Sequence, residues 1–420
     1  MRMKSGRFWN LLGMSALLSL SILQTGGWAA SLGSITVEAG DLVRTDSPVS
    51  VVLDGVTPDT LGKGVQLTER RENERVAVPC QVEAGSPARL WWILDGTTPA
   101  GEKRVYELET GSDAAKPAVE VRQDEKVLDI RVGQSDVLRF NHAPVPPPEG
   151  ANPLFTSSGF THPLWTLAGA RLTRIHPKDH IHHMGLWNPW TDTVFEGQKV
   201  DFWNIGDGTG TVRFRKFTGT ESGPVFGGFS AQLDHVALKT KEGEKTALNE
   251  DRQIRVWAPG KTRKGVYLLD YVIRERCATA SPLQLPHYRY GGLGFRATEE
   301  WDKPGSDYLT SEGKTRKDGH ATRARWCLVY GPTEKGPAGI LFMSNPTNRC
   351  HPEPVRIWND SNQVFFNFCP VQQEDWAFEP GQTYELRYRL AVYDGSLDAA
   401  QAEAIWRDYA NPPKVTLERK

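Results

Sequence analysis

Four of the chain's ten histidines lie within thirteen residues, in the segment Ile-His-Pro-Lys-Asp-His-Ile-His-His-Met-Gly-Leu-Trp at 175–187. Imidazole groups titrate near neutral pH and also bind transition metals, so this group could move protons or hold an ion. If the central part of the segment is extended, its side chains alternate, and His180 and His182 share one face. Asp179 and His183 would then lie on the opposite face. The segment is the first candidate for a functional site.

Three interpretations of this segment compete. As a metal site, His180 and His182 resemble the paired histidines of cupin oxygenases, although the next glutamate, Glu196, lies farther along the chain than in a cupin. As a proton-transfer site, the cluster offers several imidazoles and an acid, Asp179, that could orient one of them. As a structural cluster, the histidines would only make hydrogen bonds. Proton transfer is favoured and requires no cofactor, and its candidate catalytic residues are His176, Asp179, His180, His182 and His183.

A second segment, residues 286–296, brings a histidine, two phenols and two guanidinium groups close to a pair of glycines. Sugar lyases and epimerases need a base to take a carbon-bound proton, an acid to return one, and a cation beside the developing enolate. His287 and Arg289 are therefore further candidate catalytic residues. The alternative is a strand whose exposed residues simply alternate. The candidate substrate-binding residues of this segment are Tyr288, Tyr290 and Arg296.

Aromatic residues suggest the class of substrate. The chain has 14 tryptophans, and Trp187 and Trp190 follow the histidines closely. Flat aromatic faces suit the C–H faces of sugar rings. A polar, turn-rich segment farther along the chain contains Asn345 and His351, which could contact the same ligand. We therefore predict that the partner is a small carbohydrate or an oligosaccharide, bound in part by these four residues.

Composition excludes two other classes of function. Lys and Arg number 50 against 51 Asp and Glu, so the chain lacks the basic excess that binding to a nucleic-acid backbone requires. The five cysteines form no Cys-x-x-Cys pair, which removes the usual zinc-ribbon and thioredoxin motifs. The sequence therefore predicts no nucleic-acid partner.

The first 29 residues have the pattern of a secretion signal. Arg2, Lys4 and Arg7 precede a mostly apolar run. The small residues Gly27 and Ala29 then occupy the two positions that a signal peptidase recognises before its cleavage point. No later stretch reaches the roughly 18 apolar residues that a membrane span requires. We therefore expect export to the periplasm or the extracellular space, with no membrane partner once the signal is removed.

The elements that must position these residues read mainly as strands and turns. Apolar residues alternate with arginines from Leu386 to Val392, and 40 glycines and 28 prolines supply frequent turns. One helix is predicted near the carboxyl terminus, with Ser396 as its N-cap and Pro412 beyond its end. The pattern predicts an all-β protein with a small N-terminal β-domain (30–115) and a large β-sandwich domain (120–412).

Three resemblances accompany these motifs. The pattern of residues 176–187 resembles the signature of DUF6807, an exported bacterial family sometimes labelled "methane oxygenase", and residues 290–296 and 380–395 match it as well. The closing segment is also similar to the end of galactose-mutarotase-like β-sandwiches (the supersandwich fold). Residues 31–110 resemble the small N-terminal barrel of exo-rhamnogalacturonan-lyase-like proteins. Both of the latter resemblances imply an antiparallel β fold and glycan chemistry.

Together these observations predict an exported carbohydrate-active protein, a lyase or an epimerase that transfers protons through histidine during glycan degradation. A non-catalytic carbohydrate-binding protein and a mononuclear metal oxygenase with histidine ligands are the alternatives. We also expect His180 and His182 to share one concave pocket with at least one of His287, Arg289 and Arg296.

Overall fold

The computed structural model describes residues 30–72, 74–111, 115–302, 304–359 and 362–419. The predicted secretion signal lies outside the described residues, so export stays a prediction. None of the helices in the described ranges is long and apolar enough to span a bilayer.

The N-terminal unit consists of two small antiparallel sheets around their own apolar core. It also contains a short helix, α1 (Pro58–Leu61). Its strands are β1 (Ser31–Glu38), β2 (Arg44–Val52), β3 (Val65–Arg70), β4 (Arg75–Val78), β5 (Cys80–Glu83), β6 (Arg89–Thr98), β7 (Lys103–Thr110) and, from the far end of the chain, β29 (Lys414–Arg419). A five-stranded sheet has the order β29-β1-β7-β3-β4, and a three-stranded sheet has the order β2-β6-β5.

The large unit contains the remaining strands, in which neighbouring strands pair antiparallel. Short 3₁₀ turns lie at Pro153–Phe155, Ile205–Asp207 and Glu299–Asp302. The strands are β8 (Val119–Gln123), β9 (Val127–Val132), β10 (Ser135–Asn141), β11 (Phe160–Leu164), β12 (Leu186–Trp187), β13 (Thr193–Phe195), β14 (Gln198–Val200), β15 (Gly210–Glu221), β16 (Phe226–Thr240), β17 (Gly243–Trp257), β18 (Val266–Cys277), β19 (Leu283–Leu285), β20 (Gly294–Arg296), β21 (Asp307–Thr310), β22 (Arg323–Ala324), β23 (Trp326–Thr333), β24 (Gly336–Ser344), β25 (Glu353–Ile357), β26 (Phe365–Phe368), β27 (Trp376–Phe378) and β28 (Tyr384–Asp394).

Two large sheets of this unit pack face to face. A nine-stranded sheet has the order β22-β25-β26-β20-β12-β11-β10-β9-β8, and an eight-stranded sheet has the order β15-β16-β17-β18-β28-β24-β23-β21. Side chains from both sheets form one core. The ring centroid of Phe140 in β10 lies 4.7 Å from that of Phe229 in β16, and the ring centroid of Phe295 in β20 lies 5.1 Å from that of Phe342 in β24. A four-stranded sheet, β14-β13-β19-β27, accompanies them. The predicted all-β class with an antiparallel β-sandwich is confirmed.

Strand β28 illustrates why the sequence forms this sheet. Leu386, Tyr388, Leu390 and Val392 are all at most 1% exposed, because a strand places alternate side chains on one face. The intervening Arg389 pairs with Asp270 of the neighbouring strand β18. The apolar face therefore enters the sandwich core, as the alternation predicts.

The predicted C-terminal helix is confirmed, but its predicted N-cap is wrong. Helix α2 (Ala399–Ala410) begins after Asp398, whose carboxylate accepts the Gln401 N–H at 2.8 Å. The Gln401 side chain in turn accepts the Asp398 N–H at 2.9 Å, so this pair forms a complete capping box, which Ser396 does not provide. The helix packs Ile405 and Trp406 against the outer face of the eight-stranded sheet.

Candidate functional site

The histidine segment is a loop of turns that leads into β12. A bridge between Ile175 and Met184 closes the loop. Within it, the His180 N–H donates to the Pro177 carbonyl at 3.1 Å and the His183 N–H donates to the His180 carbonyl at 2.9 Å. The conditional expectation of an extended strand is therefore wrong, because these turn hydrogen bonds replace a sheet ladder.

The turns bring three imidazoles together instead of alternating them. The ring centroids of His180 and His183 lie 4.8 Å apart and are stacked. The ring of His182 lies 5.6 Å from that of His180 and 4.8 Å from that of His183. His176 has a positive φ of 48°, and its Nδ1 hydrogen-bonds the Ile181 carbonyl at 2.8 Å, so this side chain ties the loop together from within.

The three imidazoles line a cavity of about 430 Å³. The loop before β12, the segment before β20 and the connection between β25 and β26 supply most of its wall, because these four strands are neighbours in the nine-stranded sheet. We call this cavity the histidine pocket; its lining residues are His180, His182, His183, Trp203, Asn204, Arg289, Tyr290, Arg356, Trp358, Gln363 and Phe365. The expected grouping of His180 and His182 with Arg289 is therefore present.

A chain of polar contacts fixes His180. Its Nδ1 lies 2.7 Å from Oδ2 of Asp179, and the same carboxylate pairs with the Arg296 guanidinium at 2.8 Å. Burial raises the pKa of the Asp179 carboxyl, but the hydrogen bond from His180 and the charge of Arg296 outweigh it, so the pKa lies below its ordinary value. An ionised carboxylate only accepts hydrogen bonds, so His180 donates its Nδ1–H to Asp179 and its Nε2 is not engaged by that contact.

Arg296 is the buried anchor of this chain, with none of its side chain exposed. Burial, together with the nearby charge of Arg174, lowers the pKa of Arg296 to about 10, while Asp179 opposes the shift. The guanidinium therefore stays charged at neutral pH. It also lies 4.8 Å from the ring centroid of Trp358, whose ring is 4.7 Å from that of His180. Asp179, Arg296 and Trp358 together hold His180 in place.

The other two pocket imidazoles are held neutral. Burial, followed by the nearby charge of His180, lowers the pKa of His182 to about 4. Burial also lowers the pKa of His183 well below its ordinary value. Both rings are therefore uncharged near neutral pH and can exchange hydrogen bonds with hydroxyl groups.

A phenol with an available proton belongs to the same wall. The Asn204 side-chain amide donates to the Tyr290 hydroxyl at 3.0 Å, and Asp201 orients that amide by accepting from it at 2.8 Å. Burial raises the pKa of the Tyr290 phenol, so it stays protonated at neutral pH. Its oxygen accepts from Asn204, so the phenol meets a hydrogen-bond acceptor or a departing oxygen with its own O–H.

Several predicted site residues lie elsewhere. Trp190 is fully buried in the sandwich core, and its indole N–H donates to Glu275 at 2.8 Å, so it has no surface to offer a substrate. His287 is 73% exposed beside Asp375 and does not line the histidine pocket. Asn345 lines a different cavity, and His351 hydrogen-bonds Ser344. The structure therefore places these four residues outside the histidine pocket.

Two further aromatic candidates contact lining residues but do not line the pocket themselves. Trp187 is only 7% exposed, with its ring 5.2 Å from that of His183 and 4.8 Å from that of Trp203. Tyr288 packs its ring 5.0 Å from that of Tyr290. Both support lining residues. Sequence reasoning did not assign six lining residues: Trp203, Asn204, Arg356, Trp358, Gln363 and Phe365. In the sequence, Trp358 and Phe365 at the two ends of the β25–β26 connection could have indicated that this connection lines the pocket.

A group of side chains close enough together to hold a metal ion lies outside the histidine pocket. Across the described ranges, one group of three or more His, Cys, Asp and Glu side chains has ligand atoms within 4.8 Å of one another: His235, Glu250 and Glu275. It is fully buried, and the Arg252 guanidinium donates to Glu250 at 2.6 Å and supplies a positive charge there. His180 and His182 do not belong to such a group among the described side chains.

The chain belongs to the DUF6807 family, described as a family of unknown function, because the family model matches residues 127–407, about two thirds of the chain. No curated protein matches the sequence.

Solved structures with a similar arrangement are distant. A heparan sulfate lyase from Pedobacter heparinus has a TM-score of 0.34 at 11% identity, covering 69% of this chain and 38% of the lyase. A galactose mutarotase related enzyme from Lactobacillus acidophilus has a TM-score of 0.29 at 7% identity, and the match covers 67% of this chain and 98% of that enzyme. An α-galactosidase from Geobacillus stearothermophilus has a TM-score of 0.27 at 10% identity, and the match covers 66% of this chain and 41% of the galactosidase. All three act in carbohydrate chemistry by name, but likenesses this weak carry no argument about the reaction here.

Proposed function

We propose that the histidine pocket binds a carbohydrate and that the protein is a lyase or an epimerase in which His180 takes a carbon-bound proton. The observation that carries this proposal is the hydrogen-bonded chain from Arg296 through Asp179 to His180, which ends in the pocket. In keeping with the sequence of residues 1–29, we also propose that the protein acts after export.

His180 has the features of a general base. Its Nδ1–H is donated to Asp179, so Nε2 is the ring atom left to accept a proton. The carboxylate then stabilises the imidazolium that forms, since an adjacent negative charge favours the charged ring. His182 is a weaker candidate, because burial lowers its pKa to about 4.

Tyr290 is suited to be the general acid. Its phenol stays protonated, and Asn204 fixes the direction of its oxygen. The reaction needs a substrate whose C–H bond is next to a carbonyl or carboxyl group. His180 takes that proton, and the C–H electron pair forms an enolate.

The enolate has two outcomes. In a lyase, its electron pair forms a C=C bond, the C–O bond at the neighbouring carbon breaks, and the departing oxygen takes the Tyr290 proton. In an epimerase, the same carbon takes a proton from Tyr290 on its opposite face. In both cases, solvent returns His180 and Tyr290 to their starting protonation states.

The lining of the pocket supports a sugar as the ligand. Tyr290 is partly exposed and lines the pocket beside Trp358, and aromatic surface of this kind packs against the C–H faces of sugar rings. Trp203 backs this wall and is only 2% exposed. The neutral imidazoles of His182 and His183 and the Asn204 amide can exchange hydrogen bonds with hydroxyl groups. A cavity of about 430 Å³ lies within the usual range for small-molecule sites.

The test is solvent deuterium exchange in heavy water. Wild type is incubated with oligosaccharides that carry uronate or oxidised sugars, and products are followed by mass spectrometry and ultraviolet absorbance. A lyase gives unsaturated products, and an epimerase gives ring deuterium. We expect His180→Gln to lower the rate by about 10²–10⁴-fold, the usual contribution of a general base. Asp179→Asn should lower kcat with little change in KM, because it disturbs the orientation of His180 and leaves the pocket wall in place.

The matched control is His142→Ala, which removes an imidazole that packs against Phe214 and Phe217, away from the histidine loop. It should keep the wild-type rate. Unchanged substrate with wild type, together with equal sugar affinity in wild type and His180→Gln, would leave a binding protein and contradict the catalytic proposal.

A further inference from the structure

The described lining of the histidine pocket contains an arginine, Arg289, that no described acid neutralises. Among the described lining residues none is an aspartate or glutamate. Two described acids behind the wall are already engaged. Asp179 pairs with Arg296 and His180, and Asp201 accepts the Trp203 and Asn204 backbone N–H groups at 2.8 Å each. The pocket surface itself therefore favours an anion.

Arg289 is the group best placed to meet that anion. Its side chain is exposed, and its guanidinium carbon lies 5.8 Å from the Tyr288 ring centroid and 5.6 Å from the Tyr290 ring centroid. Within the described residues its guanidinium forms no ion pair with an acid. Arg296, Arg174 and Arg389, by contrast, are each paired with an aspartate. The two phenol rings orient Arg289 without neutralising it.

We propose that the substrate of this site is an anionic sugar of the uronate class, whose carboxylate is bound by Arg289. The inference rests on the proposed function of the same pocket. A planar guanidinium matches a carboxylate through two parallel hydrogen bonds, which gives both attraction and orientation.

Reaction chemistry selects a carboxylate over other anions. Proton abstraction requires that the C–H bond be next to a group that can accept the electron pair, and a uronate carboxylate is attached to such a carbon. A sulfate or phosphate ester also supplies negative charge but does not stabilise an enolate at its carbon. A cation on the carboxylate also lowers the cost of the extra negative charge that develops there. Arg289 thus serves binding and reaction together.

The experiment compares matched ligands. Affinities for the methyl glycosides of glucuronate and galacturonate, and for methyl glucoside and methyl galactoside, are measured by calorimetry. A sulfated methyl galactoside is a third probe. Turnover is measured with oligouronides and their carboxyl-reduced forms. The proteins are wild type, Arg289→Gln and Arg289→Lys, with Arg122→Gln as the control because Arg122 is an exposed arginine paired with Glu120 on β8.

We expect wild type and Arg122→Gln to bind a uronate glycoside at least tenfold more tightly than its neutral counterpart. Arg289→Gln should abolish that preference, and Arg289→Lys should retain part of it, because an ammonium keeps the charge but not the planar pair of donors. The preference should also weaken at high salt. Equal affinity for neutral and uronate ligands, or an unchanged preference in Arg289→Gln, overturns the inference. Tighter binding of the sulfated probe overturns the assignment to a carboxylate.

The results separate this inference from the proposed function. Turnover of neutral oligosaccharides that depends on His180 supports the proton-transfer function and overturns the uronate inference. Uronate binding that depends on Arg289, without turnover or deuterium exchange, supports the uronate inference and overturns the catalytic function. If none of the probes binds, both proposals fail.

Discussion

His182 and His180 share one loop but differ in how far each ring is withdrawn from water. The His180 side chain is 41% exposed and pairs with Asp179, whereas His182 has no acid within hydrogen-bonding distance among the described residues and sits deeper in the wall. Burial penalises a charged imidazole, so the deeper ring is the one held neutral. The different roles that we propose for the two histidines follow from this difference.

Protonation of His182 should cost stability in mild acid. Its pKa is about 4 in the folded protein, against about 6.5 for an unperturbed histidine. Between these values the unfolded chain binds more protons than the folded chain, so the free energy of unfolding falls as pH falls from about 6.5 to about 4. The full contribution is up to about 3 kcal/mol. His182→Gln removes it, so the loss of stability across this window becomes smaller.

Urea unfolding at several pH values between 4 and 7 measures this effect as the difference between wild type and variant. The control is His287→Gln, which removes an imidazole that is 73% exposed and lies outside the histidine pocket. An identical pH dependence in wild type and His182→Gln would show that the buried ring contributes no proton linkage.

At the scale of elements, the last strand belongs to the first unit. Strand β29 pairs antiparallel with β1 from Gly33 opposite Arg419 to Glu38 opposite Lys414. Its Val415 and Leu417 pack partly buried against the N-terminal core. The chain therefore returns to its starting unit after the sandwich is complete, and it covers an edge that β1 would otherwise expose.

Loss of β29 contacts should destabilise the N-terminal unit. Leu417→Ala should lower the free energy of unfolding by about 1–2 kcal/mol, below the range for a fully buried leucine because this side chain is only partly buried. Truncation after Pro413 should cost more and promote aggregation through the exposed β1 edge. Chemical denaturation checks both, with the exposed Glu418→Ala as the control. Equal stability of Leu417→Ala and Glu418→Ala would contradict the packing role.

At the scale of the whole molecule, the two units meet through polar and aromatic contacts. The ring centroid of Trp91 in β6 lies 5.0 Å from that of Trp257 in β17. The Gln81 side-chain oxygen accepts the backbone N–H groups of Val225 and Phe226 at 3.2 and 3.1 Å, and its amide donates to Glu221 at 2.7 Å. One buried side chain thus satisfies three groups of the large unit.

Removal of the Gln81 side chain should weaken the coupling between the units. Gln81→Ala leaves two buried backbone donors without partners, and an unsatisfied buried donor costs about 1–3 kcal/mol. We expect a loss of that size in the free energy of unfolding and a broader or two-step transition, measured by calorimetry and urea unfolding. Gln284→Ala, at an exposed position in β19, is the control. A single transition with wild-type stability would show that Gln81 does not couple the units.

The sequence by itself determined features that depend on neighbours along the chain. Alternation from Leu386 to Val392 predicted the buried face of β28, because side-chain direction in a strand is set by position alone. The clustering of histidines marked the loop that lines the pocket. The carboxyl-terminal helix was also predictable, although Asp398 rather than Ser396 caps it, since both residue types suit that position.

Only the tertiary structure decided which distant residues meet. Arg296 lies 117 residues after Asp179, and the two pair because β12 and β20 are neighbours in one sheet. Trp358 reaches the pocket through β25 and β26, whereas Trp190, three residues after Trp187, enters the core. Periodicity in a sequence reports which face of a strand is buried, but strand order depends on the packing of the whole sandwich. The pocket is therefore a property of the sheet order, and its histidines are a property of the sequence.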